Sequence, residues 1–89
     1  MTAYPSTTVH LRFFAGARAA TGRDAIDLTL GASGTLEEAL GLLIPASDQP
    51  LDRVLARCSF LINSVATTDR QRVLHDGDRV DVMPPFAGG

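Results

Sequence analysis

The chain contains no lysine: all eight of its basic residues are arginine, set against ten acidic residues in a length of 89. A phosphate-binding loop of the GxxxxGK[ST] kind and Schiff-base chemistry both need a side-chain amine. The chain therefore neither holds ATP by a P-loop of its own nor binds pyridoxal phosphate covalently. Its formal charge of −2 lacks the clustered basic excess of a nucleic-acid protein. A single cysteine, Cys58, excludes an internal disulfide and fits a reducing, cytoplasmic setting. Residues 1–7 show no basic region followed by an apolar run, so no signal peptide is expected. No apolar stretch approaches the ~18 residues needed to cross a bilayer, and no membrane partner is expected. The two histidines, His10 and His75, lack HxxxH or CxxC spacing, and with one cysteine they make a poor zinc kit, so no bound metal is expected.

What the chain does have is alternation. Its 45% hydrophobic content fits a folded globule of one domain. Thr8 to Phe13 places Val9, Leu11 and Phe13 on one face of a strand, and Asp24 to Leu30 does the same with Ile26, Leu28 and Leu30. The two are expected to pair as a hairpin with a wide connection, in which Ala17 to Ala20 makes a helical turn broken by Thr21-Gly22. Thr35-Leu36-Glu37-Glu38 has the form of a capping box, followed by an apolar stripe of Leu36, Ala39, Leu40 and Leu43 that predicts a helix as far as Pro45. Asp48-Gln49-Pro50 opens a second short helix with Leu51, Val54 and Leu55 inward. Cys58 to Asn63 predicts a third strand. Asn63 to Arg70 reads as turn, Gln71 to Leu74 as a short strand, Asp76-Gly77-Asp78 as a tight turn, and Arg79 to Met83 as the last strand. This order predicts an α+β class, most simply a β-grasp (ubiquitin-like) roll with one main helix on one face of a mixed sheet. Residues 1–83 would form the domain and 84–89 a flexible Gly-Gly tail.

Most polar residues have plain structural explanations. His10 reads as a solvent-facing strand residue and His75 as part of a turn. Cys58 beside Arg57 reads as a small packed residue rather than a reactive thiol. Glu37-Glu38 and Asp76/Asp78 serve capping and turn formation. Arg12, Arg70, Arg72 and Arg79 make a solvated surface, or else cluster across strands into a docking patch for an acidic partner.

The sequence Pro84-Pro85-Phe86-Ala87-Gly88-Gly89 is different. With eight glycines in 89 residues, a terminal Gly-Gly arises by composition alone in roughly one sequence in a hundred. The prolines stiffen the exit, Phe86 offers an apolar anchor, and the last three residues are slim enough to thread a narrow channel. The terminal carboxylate is ionised at neutral pH. It can attack the α-phosphate of ATP to give an acyl adenylate, which then accepts a nucleophile such as sulfide.

These motifs resemble the MoaD/ThiS family of sulfur carriers, in particular its molybdopterin synthase small-subunit branch. The resemblance is carried by Leu11-Arg12-Phe13-Phe14-Ala15 with Arg18, by Thr35-Leu36-Glu37-Glu38-Ala39-Leu40, and by Asn63. Its most specific part is Leu74-His75-Asp76-Gly77-Asp78-Arg79-Val80 leading into Met83 and the Pro-Pro-x-x-Gly-Gly end. It implies a β-grasp fold and a cycle in molybdenum cofactor biosynthesis. An E1-like activating enzyme adenylates Gly89 at the expense of ATP, and a sulfur donor converts the adenylate to a thiocarboxylate. The charged tail, Pro84 to Gly88 with Gly89 at its tip, enters the active site of the synthase large subunit and passes sulfur to a pyranopterin precursor. The usual assembly is a heterotetramer. Such a chain is a sulfur-donating subunit with no complete active site and binds no cofactor itself. The resemblance assigns Met83, Ala66 and Arg18 to partner binding. The alternatives are a carrier for thiamin-thiazole or cysteine synthesis, which the Pro-Pro disfavours, and a ubiquitin-like modifier or binding module.

Overall fold

Strand β1 (Ser6–Phe13) buries Val9, Leu11 and Phe13 as its alternation predicts, and β2 (Ala25–Gly31) pairs antiparallel with it from Ser6 opposite Gly31 to Arg12 opposite Ala25. These coordinates come from a computed structural model that describes residues 6–31, 33–46 and 50–84. Helix α1 (Ala15–Thr21) occupies the wide connection and closes on Gly22, whose left-handed φ of 71° lets its amide donate to the Arg18 carbonyl.

Helix α2 (Leu36–Gly41) starts at Thr35, whose side-chain oxygen accepts the Glu38 amide at 3.2 Å. Among the described residues the reciprocal Glu38 arm of the capping box is not formed. Instead the Leu36 and Glu37 amides donate to the Arg72 and Arg70 carbonyls at 2.9 and 2.8 Å, so a distant loop completes the cap. The helix also stops at Gly41, short of Pro45. The Leu42 and Leu43 amides tighten onto the Ala39 and Leu40 carbonyls, leaving Leu43 half-buried beyond the last turn. Helix α3 (Leu51–Ala56) follows Pro50 with Leu51 and Leu55 buried, whereas Asp48 and Gln49 lie outside the described residues.

Strand β3 (Ser59–Ile62) buries Phe60 and Ile62, and the segment expected to be turn carries a further strand, β4 (Val65–Thr67), in an antiparallel hairpin. Asn63 and Ser64 join β3 and β4 with φ values of 49° and 73°. This is the pattern of a two-residue type I′ turn, which usually announces itself as Asn-Gly; serine in the second place hides the signal. The strand expected over Gln71 to Leu74 shrinks to one bridge between Thr35 and Val73, made by the Leu36 amide to the Arg72 carbonyl and the Leu74 amide to the Gly34 carbonyl, both at 2.9 Å; Thr35 opens α2, so the pairing goes no further.

Strand β5 (Arg79–Met83) enters the middle of the sheet, parallel to β1 and antiparallel to β3, giving the order β2-β1-β5-β3-β4. The mixed sheet agrees with the α+β β-grasp expectation, but among the described residues three short helices share the covering role in place of one main helix. Leu11, Phe60, Ile62, Leu36, Leu74 and Val80 are fully buried between the layers, where truncating an aromatic such as Phe60 to alanine costs about 3–5 kcal/mol. Gly34 has no room for a side chain: a Cβ there would lie 2.6 Å from the Leu30 Cβ.

A clasp holds the entry to β5. Gly77, at φ 87°, donates its amide to the Thr8 carbonyl at 2.8 Å, and Asp76 Oδ1 accepts the Thr8 amide at 2.8 Å. Asp78 Oδ2 accepts the His75 amide, and Asp78 Oδ1 accepts Asn63 Nδ2–H, both at 2.8 Å. Asn63 Oδ1 in turn accepts the Arg79 amide at 2.9 Å. Burial works to raise the Asp78 pKa. The His75 and Asn63 hydrogen bonds and the His75 and Arg72 charges outweigh it and lower the pKa from its ordinary value.

Candidate functional site

Because β5 is hydrogen-bonded on both sides, its C-terminal end is held on two flanks. Phe14 N–H donates to the Val82 carbonyl at 3.3 Å, and Met83 lies opposite Ser59. Pro84 is the last described residue, half-buried, at the same end of the sheet as the end of β1. Pro85, Phe86, Ala87, Gly88 and Gly89, the residues expected to carry the chemistry, lie outside the described residues.

The sheet face opposite the helices surrounds this exit. Pleating sends Val80 and Val82 inward and Arg79, Asp81 and Met83 outward; on β3 it sends Leu61 outward, and the register places Ala66 directly opposite Leu61. Met83 and Ala66 therefore share the open face. They stand two strands and two register positions apart, about 12 Å by sheet spacings. Leu61 fills the interval, and Phe14, one residue beyond the Phe13–Val82 register pair, flanks Met83 on the other side. The apolar strip Ala66–Leu61–Met83–Phe14 thus crosses four strands. Two of its members, Leu61 and Phe14, are not among the expected partner-binding residues. Their signal is apolar character out of phase with the core: Leu61 between Phe60 and Ile62, and Phe14 after Phe13.

A charged pair borders the strip. Arg12 donates from Nε and Nη2 to the two carboxylate oxygens of Asp81 at 2.8 and 3.0 Å, and its guanidinium lies 5.7 Å from the Phe14 ring centroid. The hydrogen bonds to Asp81, and then its charge, raise the Arg12 pKa above its ordinary value against the opposing effect of burial. Arg18 pairs with Asp24 and, with Arg12, Phe14 and Ala15, lines an open depression of about 330 Å³ beside the strand end. It lies next to the Phe14 end of the strip and away from Ala66.

The arginine cluster envisaged across strands does not form. Arg12 is bound to Asp81. Arg70 lies on the helical side, donating to Glu37 and to the Leu55 carbonyl, over the Phe60 ring. Arg79 opens β5, level with His10, while Arg72 lies in the loop that caps α2 and its charge acts on Asp78. His10 is on the open face with its Nδ1 2.7 Å from Asp27 Oδ1, and His75 is exposed in the turn. Cys58 is buried and donates its thiol proton to the Val54 carbonyl at 3.1 Å. Burial raises its pKa, with the Arg70 charge opposing, as befits a packing residue rather than a nucleophile. Among the described residues no group of three or more acidic, histidine or cysteine side chains can hold a metal, and no helix is long and apolar enough to cross a membrane.

Comparison with known proteins bears on the fold and the family. The molybdopterin synthase sulfur carrier subunit of Chlamydomonas reinhardtii is 32% identical over 83 residues, covering 91% of this chain and 98% of that one. The fold superposes on the crystal structure of SAMP1 from Haloferax volcanii with a TM-score of 0.75 at 21% identity, over 92% of this chain and 99% of that one. It also resembles a chain in the Helicobacter pylori complex of subunits 1 and 2 of molybdopterin-converting factor, with a TM-score of 0.66 at 23% identity, over 93% of this chain and 100% of that one. The ThiS family profile matches residues 11–89, from the core of β1 through the Gly-Gly end, and the chain belongs to the ThiS family, within the MoaD/ThiS group of sulfur carriers.

Proposed function

We propose that the chain is the sulfur-carrying small subunit of a molybdopterin synthase. The observation that carries the proposal is the family match running to Gly89, together with a near full-length relative that is a molybdopterin synthase sulfur carrier subunit. In the proposed cycle an activating enzyme transfers the AMP moiety of ATP to the Gly89 carboxylate, releasing pyrophosphate. Sulfur from a donor displaces AMP and leaves a thiocarboxylate. The charged chain then docks its Ala66–Leu61–Met83–Phe14 strip on the large subunit and presents Gly89 to the pyranopterin precursor.

The geometry supports this division of labour. A tail that must deliver a reactive atom into a partner needs a fixed root, and β5 supplies one, paired with β1 up to Val82 and with β3 up to Met83. It also needs a surface that seats the partner around the root, and the strip surrounds it. The paired charges of Arg12 and Asp81 at its border favour a partner able to meet both signs.

Incubation with a cognate activating enzyme, ATP and a sulfur donor tests the proposal. The expected intact mass shows sulfur replacing one oxygen, and deletion of Gly89 preserves folding while abolishing molybdopterin formation. A truncated chain that still supports molybdopterin formation would refute it. The likeness to SAMP1, a small archaeal modifier protein, favours a second reading as a ubiquitin-like modifier. Under that reading activation yields an amide to a lysine of another protein and no thiocarboxylate.

A further inference from the structure

We infer that the outer edge of β2 is a self-association surface: two copies of this chain join their β2 strands antiparallel about a two-fold axis at Leu28, forming one continuous sheet. Among the described residues β2 is an outer strand of the sheet, and it lacks the usual protections of an edge. It runs for seven residues, Ala25–Gly31, without proline, and its register against β1 is unbroken, so no bulge twists it away. Its inward side chains are Ile26, Leu28 and Leu30, with no charge among them. The other outer strand, β4, is only three residues long, and that shortness protects it.

The hydrogen-bond phase of this edge is fixed by β1. The His10 and Phe14 amides donate to the Asp78 and Val82 carbonyls on the β5 side, whereas the Phe13 amide donates to the Asp24 carbonyl on the β2 side. Val9, Leu11 and Phe13 therefore bond to Leu28, Ile26 and Asp24, and the amides and carbonyls of Ala25, Asp27, Thr29 and Gly31 point to the outer edge. A two-fold axis at Leu28 sets Asp27 opposite Thr29 of the second copy and Ala25 opposite Gly31. Each of these four residues then meets one in the same phase and exchanges both bonds with it, and the whole strand is paired. An axis at Asp27 would set two carboxylates directly opposite each other, and an axis at Thr29 would pair only Asp27 to Gly31.

The side chains are complementary at the same register. On the inner face Ile26 meets Leu30 and Leu28 meets its own copy, so the core continues across the join. Ile26 and Leu28 are only partly buried, while their β1 partners Leu11 and Val9 are fully buried, because no strand covers their outer flank. Leu42, 49% exposed, and Ile44, 80% exposed, line a shallow apolar cleft with Ile26 at this edge. On the outer face the Asp27 carboxylate, which accepts from His10 through Oδ1, meets the Thr29 hydroxyl of the second copy, a donor and not a second acid. The association uses neither the Ala66–Leu61–Met83–Phe14 strip nor the end of β5, so it stands apart from the proposed sulfur chemistry.

Sedimentation equilibrium of the full chain tests the inference. One strand pair buries less than the ~1,200 Å² of a standard interface, so the association is weak. The weight-average mass is expected to rise from 9.4 kDa toward twice that value between about 10 µM and about 1 mM. Over the same range the NMR amide shifts of Ala25, Asp27, Thr29 and Gly31 are expected to move and those of β4 to stay. Thr29→Arg sets an opposite charge across from Asp27 at two symmetry-related places and should tighten the dimer by about threefold or more, whereas Thr29→Asp sets a like charge there and should weaken it by about as much. The same two exchanges at Gln71, exposed in the loop that caps α2, alter net charge equally and should change the dissociation constant by less than about twofold. A chain that stays at 9.4 kDa up to about 1 mM with unmoved edge shifts overturns the inference and leaves the edge to a strand of another protein. Dimer shifts confined to the Leu61 strip overturn it as well, as do Thr29 variants that both move the dissociation constant in one direction.

Discussion

Replacing Asn63 with alanine isolates the clasp at the entry to β5. The substitution removes two hydrogen bonds, Nδ2–H to the Asp78 carboxylate at 2.8 Å and the Arg79 amide to Oδ1 at 2.9 Å. The first has a charged acceptor at a site open to water and is worth about 1.5 kcal/mol; the second is worth about 1 kcal/mol. Asn63 also sits at φ 49°, where asparagine is tolerated and alanine costs about 1 kcal/mol more. The three contributions predict a loss of about 3.5 kcal/mol. For a domain of this size that lowers the thermal midpoint by about 14–28 °C.

Urea unfolding of wild type, Asn63→Ala, Asp78→Ala and the double variant measures the coupling directly. A value of about 1–1.5 kcal/mol is expected between positions 63 and 78, since Asp78 keeps its bond to the His75 amide when Asn63 is gone. The clasp and the tail exit occupy opposite ends of β5, so the folded fraction of Asn63→Ala should accept sulfur at the wild-type rate. A loss under about 1 kcal/mol with no coupling would refute the clasp. Loss of charging in the folded variant would show that the motif does more than hold the strand.

The remaining predictions concern the open face, pH and the β3–β4 turn. Leu61→Asp, on a half-buried residue outside the core, should leave the fold in place and weaken binding to the synthase large subunit by at least about 2 kcal/mol, roughly thirtyfold in Kd by calorimetry. A Kd within threefold of wild type removes the strip from the interface. Asp78 has a lowered pKa in the fold, so its stabilising contribution is complete above its unfolded value of about 3.9 and is lost as pH falls through the folded value. Thermal melts should therefore fall on acidification below about pH 4, less steeply for Asp78→Asn. Ser64→Gly relieves a side chain at φ 73° and should stabilise by about 1 kcal/mol in urea unfolding; a neutral or negative result counts against the type I′ assignment.

How legible each element is depends on how local its cause is. Val9, Leu11 and Phe13, or Phe60 and Ile62, declare their strands because pleating needs only alternate residues to be apolar, and the burial follows. The missing Glu38 arm of the capping box and the shrinkage of the 71–74 strand to one bridge trace to the same distant loop. Arg70 and Arg72 lend their carbonyls to the first turn of α2, a bargain between residues about 35 positions apart that no local pattern records. The apolar strip on the open face is equally non-local. Met83 and Ala66 are legible only by resemblance, and Leu61 and Phe14 acquire their place when the register sets four strands side by side.

The same distinction divides the most specific motif of the chain. Asp76-Gly77-Asp78 and Asn63 accompany the Gly-Gly end in the pattern that points to a sulfur carrier, yet in the fold they touch Thr8, His75 and Arg79 and nothing at the exit. Their place is the start of the central strand, whose finish leads into the tail. β5 is only five residues long, and a slip of two positions along its neighbours keeps its inward and outward faces while moving the tail root about 7 Å. Side-chain alternation alone does not forbid that slip. The clasp does, because Asn63 and Thr8 hold the 76–79 segment to β3 and β1 at one register. The part of the motif farthest from the tail therefore fixes the register from which Pro84 leaves the sheet.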